Sequence, residues 1–85
     1  MSKAGFCYMN QGMLWYDNQT GQPVEKRLQH AIDYFISKYG HPPLCCFVHP
    51  DMLEQPIHFG ENIKVIPNEH ILKNHIWLEI SQEST

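Results

Sequence analysis

One stretch, QPVEKRLQHAIDYFISKYG from Gln22 to Gly40, limits the folds open to this chain. Val24, Leu28, Ala31, Ile32, Phe35 and Tyr39 recur at helical spacing and fill one stripe about 100° wide, with Ile36 on its shoulder. Glu25, Lys26, Gln29, His30, Asp33 and Ser37 lie off the stripe and meet solvent. Lys38 falls at its edge, where the stem packs and the ammonium reaches water. Pro23 suits the first helical position because it has no N–H to leave unpaired. Glu25 in the first turn is favoured by the helix dipole. Gly40 suits a left-handed cap, and Pro42 and Pro43 block continuation. The pattern predicts one long amphipathic helix, with every other segment a strand or a turn.

The remaining segments follow in order. Residues 1–11 carry little periodicity and are expected to be frayed or to form a short extra strand. Met13 to Asp17, rich in aromatics, reads as the first clear strand. Asn18-Gln19-Thr20-Gly21 closes it with turn formers. After the helix, Leu44 to His49 is apolar on both faces, as a central strand is, and Pro50 ends it. Strand, helix, strand predicts a right-handed crossover with the two strands parallel. Ile57 and Phe59 alternate with His58, and Ile63 and Val65 with Lys64, as in a short hairpin or an extended edge segment. Ile71-Leu72 is expected to plug the core from a turn. His75 to Ile80 reads as the last strand, antiparallel to its neighbour. Residues 81–85 are a polar tail. The expected fold is a single α/β (α+β) domain over 1–85, a mixed sheet of about four strands with the helix on one face.

Composition narrows the class. The chain has 85 residues, 42% hydrophobic and 18% charged, which is ordinary for a globular protein. A domain of this size has a radius of gyration of about 12 Å and a thin core. No apolar run reaches about 18 residues, so no membrane span is predicted. The N-terminus lacks the apolar h-region of a signal peptide, and a cytoplasmic protein is expected. A net charge of −3, with only six Lys and Arg, argues against a nucleic-acid partner. The three cysteines do not make a disulfide framework. Cys45 and Cys46 are neighbours in an apolar strand, where they point to opposite faces, and buried free thiols are expected.

The segments YDN, SKYGHPP, CFVHPDML and HIWLEI, in that order over roughly residues 12–80, resemble a small prokaryotic α/β domain of unknown function. The resemblance implies a cytoplasmic prokaryotic protein. It supplies no activity and no functional residue.

Two surfaces carry what the sequence offers on function. A helix is about 10 Å wide with its side chains, roughly two strand spacings, so it leaves one sheet face uncovered. Yet Met13 and Trp15 oppose Leu14 and Tyr16, Cys45 and Phe47 oppose Leu44, Cys46 and Val48, and Trp77 opposes Ile76 and Leu78. Apolar side chains therefore occupy whichever face is uncovered. Turns around Met52-Leu53 and Ile71-Leu72 folding over that face would account for them, as would an ordinary small patch. The sharper reading is an interface through Trp15, Phe47 and Trp77, in a non-enzymatic protein-binding or regulatory module that is a homodimer or binds another protein.

The second surface is the carboxyl edge of the parallel strands, where ligands of open sheets bind. Asp17 and His49 end strands there and His75 begins one, an arrangement open to a small ligand, to a metal or to acid–base catalysis. Against it, Asp17 with Asn18 also suits an Asx turn, and histidines are common at strand ends. His41, Cys45, Cys46 and His49 do not have zinc spacing, since the two thiols diverge and the two histidines lie roughly 26 Å apart along a strand. A cysteine nucleophile at Cys7, Cys45 or Cys46 requires an accessible thiolate, and the last two sit in the most buried-looking strand. No phosphate loop, dinucleotide fingerprint, G-x-S-x-G or H-E-x-x-H occurs. No cofactor is expected, and the sequence leans away from an enzyme without deciding it. The six histidines also allow a pH switch of a dimer whose face includes His75.

Overall fold

The computed structural model describes residues 9, 11–19, 21–60 and 62–80. The extra strand or frayed end expected before Met9, Cys7, and the tail at 81–85 lie outside the described residues. The chain runs β1 (Gly12–Tyr16), α1 (Val24–Tyr39), β2 (Cys45–Val48), β3 (Ile57–Phe59), β4 (Ile63–Pro67) and β5 (His75–Glu79). The strands form one mixed sheet in the order β1-β5-β2-β4-β3, and the radius of gyration is 12.1 Å. Among the described residues no helix is long and apolar enough to cross a membrane.

The helix begins one residue later than its proline suggests. Pro23 is the N-cap, with ψ 151°, and no side chain caps the end. Its carbonyl instead accepts the N–H groups of Lys26 at 3.0 Å and Arg27 at 3.2 Å. Gly40 takes the left-handed cap at φ 82° and donates its N–H to the Ile36 carbonyl at 2.8 Å. Leu28, Ala31, Ile32 and Phe35 are buried against Cys46, Val48, Val65, Ile76 and Leu78. Ile36, on the shoulder of the stripe, is exposed.

The sheet has five strands, one more than expected, because both arms of the 57–67 hairpin pair into it. β4 lies parallel to β2, so the strands after β2 are not all antiparallel. β1 and β2 run the same way, but β5 sits between them and is antiparallel to both. The position of β2 explains its composition: with β5 on one side and β4 on the other, all four residues are buried.

Gly12 is required by a close approach. A Cβ there would lie 2.3 Å from the Leu78 carbonyl oxygen and 3.0 Å from Glu79 Cα, both backbone atoms of β5. Gly12→Ala must push β1 and β5 apart. It is expected to cost about 1–3 kcal/mol, as overpacked sites do, measured by urea denaturation. An unchanged midpoint would show that the β1–β5 pair relaxes freely.

Candidate functional site

The register assigns every strand side chain to a face. Under α1 lie Met13, Trp15, Cys46, Val48, Val65, Ile76 and Leu78. Trp15 is half-buried on this side, its ring centroid 5.1 Å from that of Tyr34 and 6.5 Å from that of His30. Met52 and Leu53 pack on this side as well, so the loop after β2 does not cover the opposite face.

That opposite face carries an apolar row across four strands. Leu14 pairs with Trp77, Trp77 with Phe47, and Phe47 with Ile66. Ile71, from the β4–β5 connection, packs on Cys45 and Phe47 and is buried, whereas the adjacent Leu72 is 64% exposed. The turn plug therefore covers the middle of the face through one side chain. Leu14 at 48% and Tyr16 at 62% exposure remain open on β1. Phe47, covered by Ile71, and the half-buried Trp77 thus share this face, and Trp15 lies on the other.

The same face contains a buried acid that the sequence reading did not single out. Glu79 is 2% exposed. Its Oε1 accepts the Trp77 indole N–H at 2.8 Å, and its Oε2 accepts the backbone N–H of Gln11 at 2.9 Å. The carboxylate fixes the Trp77 ring and the entry into β1. A glutamate two residues after a tryptophan on one strand face was the available signal.

At the carboxyl edge the structure places Asp17 after β1, His49 after β2 and His75 at the start of β5. Each side chain has separate company. Asp17, 2% exposed, forms a buried ion pair with Arg27 through Oδ2 and the guanidinium Nε. Its Oδ1 accepts the Gln19 N–H at 3.3 Å, an Asx-type turn. Arg27 Nη2 reaches Asn74 Oδ1 at 3.4 Å, while Asn74, in the left-handed region at φ 61°, accepts the Asp17 N–H on its carbonyl at 2.7 Å. Asparagine is among the residues that tolerate this conformation. His49 Nδ1 accepts the Asp51 N–H at 3.0 Å, and Asp51 in turn meets Lys73 Nζ at 3.2 Å. His75 donates from Nδ1 to the Lys73 carbonyl at 2.8 Å, and its ring lies against Tyr16. Among the described residues no group of three or more His, Cys, Asp or Glu could hold a metal ion.

Arg27 is the edge residue that the sequence reading passed over. It lies on the helix flank beside Val24 and Leu28, where an arginine can turn inward. The acid at the end of the preceding strand was its available partner.

Compared with protein-family models, with curated proteins and with solved structures, the chain matches none.

Proposed function

We propose that the chain is a non-enzymatic cytoplasmic binding module that forms a homodimer and presents its apolar sheet face to protein partners. The observation that supports this is the apolar surface on the face opposite α1, where Leu14, Tyr16 and Leu72 are exposed and Trp77 and Ile66 half-buried around the covered Phe47. Aromatic residues in such a setting are enriched in protein interfaces, and two-fold homodimers are the commonest assembly. A small-ligand or metal site of Asp17, His49 and His75 has less support. Asp17 is held by Arg27, and the two histidine Nδ1 atoms bond to backbone groups of their own loops.

Light scattering coupled to size exclusion at two concentrations tests the assembly. The expected mass is about 20 kDa at the higher concentration, twice the 10.0 kDa chain. A mass of 10.0 kDa at both would remove the homodimer.

A further inference from the structure

One side of β1 is not used by β5. Their antiparallel register runs from Gly12 opposite Glu79 to Tyr16 opposite His75. Just past its ends, the Asp17 N–H donates to the Asn74 carbonyl at 2.7 Å and the Ile80 N–H to the Gln11 carbonyl at 2.8 Å. In an antiparallel ladder the N–H and C=O of one residue point the same way, and successive residues alternate. The bonded residues Gln11 and Asp17 set the phase. Met13 and Trp15 turn their backbone groups to β5, and Gly12, Leu14 and Tyr16 turn theirs outward. Among the described residues no strand lies on that side.

The two edges of the sheet are built differently. β3 is three residues long, follows Pro56, centres on His58 beside Lys64, and is followed by Gly60 with φ 68°. A short strand, a proline and polar side chains are devices that blunt an edge. β1, GMLWY, has five residues with neither a charge nor a proline.

We propose that the β1 edge is closed by β1 of a second copy, antiparallel about a two-fold axis at Leu14, so that the two sheets become one. This rests on the homodimer reading above and specifies its interface. The strand is self-complementary about that residue. Leu14 meets Leu14 of the second copy in a hydrogen-bonded pair, which is the pair type that outward-facing backbone groups at Leu14 require. Gly12 meets Tyr16, so an aromatic ring covers a position without a side chain, a pairing that favours edge glycines. On the helix side Met13 meets Trp15 in the closer pair type, where a thioether contacts an indole favourably. Trp15 Nε1 is the buried side-chain N–H that has no hydrogen-bond partner among the described residues. The seam adds about six backbone hydrogen bonds, two at each of three residue pairs.

The helices leave room for this seam. α1 packs on β5, one strand in from the edge. The two copies of β5 would stand three strand spacings apart, about 14 Å, which exceeds the 8–10 Å typical of packed helices. On the open face Leu14 and Trp77 of one copy continue into those of the other, giving one apolar strip across the seam for a partner.

Amide hydrogen exchange by NMR tests the seam on the full chain, at concentrations where light scattering reads monomer and dimer. In the monomer the amides of Met13 and Trp15 exchange slowly and those of Gly12, Leu14 and Tyr16 exchange fast. In the dimer the latter three are expected to slow by about 10-fold or more, since exchange then requires the seam to open. A dimer in which those three stay fast overturns the β1 seam and leaves the homodimer standing on another surface. A monomer at every concentration overturns both. Leu14→Pro removes the outward N–H on the axis and no bond to β5, a position where an edge proline is tolerated. The variant is expected to be folded and monomeric, and a folded variant that still dimerises overturns the seam. Should it not fold, exchange in the unmodified chain decides.

Discussion

Arg27→Met is expected to cost about 3–5 kcal/mol of unfolding free energy, the range found when one partner of a buried ion pair is removed. The domain's whole stability is of order 4–13 kcal/mol at its length, so this one change approaches the limit of what the fold tolerates. The Arg27 and Asp17 side chains are 10% and 2% exposed, so water screens the pair little. The methionine keeps most of the stem volume and removes the charge, leaving the Asp17 carboxyl group buried without its cationic partner. Three elements meet there: the end of β1, the first turn of α1, and the loop into β5 through Asn74. Arg27→Met with Asp17→Leu is expected to cost less than the sum of the two single changes, because no charge is then stranded. Urea denaturation of the four proteins in the cycle measures it. A single-mutant loss below about 1 kcal/mol would class the pair with solvent-exposed bridges.

The ion pair also shows what the sequence made visible and what it concealed. The helix was legible because it rests on local periodicity and local end signals, and the observed Val24–Tyr39 lies within the expected stretch. The buried character of β2 was legible because a strand with neighbours on both sides and cover above and below has no place for polar residues. The insertion of β5 between β1 and β2 was not legible. Strand order depends on contacts between residues far apart in the chain, and Ile76, Trp77 and Leu78 would suit several positions in the sheet.

The carboxyl edge was legible as a location only. Topology brings Asp17, His49 and His75 to one side of the sheet, but the partner of Asp17 depends on which way the Arg27 side chain turns, and helical periodicity counts an arginine simply as polar. Glu79 was hidden for a related reason. A charged residue at a strand end reads as solvated, whereas here it accepts the Trp77 indole N–H and a backbone N–H. Each acid is tied to a donor from another part of the chain or from two residues away, and each connection adds order without enlarging the apolar core.

The two sheet faces differ most in how much of the domain depends on them. Phe35→Ala is expected to cost about 3–5 kcal/mol, the transfer of a buried ring plus the cavity it leaves. Phe35 is fully buried at the centre of the helix-facing core. The Tyr39 ring lies 4.6 Å from it and the His41 ring 5.8 Å, edge-on. Both come from the end of the helix and the turn after it, so the cavity would loosen the Gly40 cap as well. The neighbouring Ile36 is the control. It is 38% exposed and lies outside the buried core, and Ile36→Ala is expected to cost about 1 kcal/mol, well below the Phe35 value, since more than a third of its area already meets water. Equal losses at the two positions would mean that the helix presents a different stripe to the sheet. If Phe35→Ala unfolds the chain while Leu14→Pro leaves it folded, stability resides on the helix face. The β1 edge and the apolar row opposite the helix are then free to serve association.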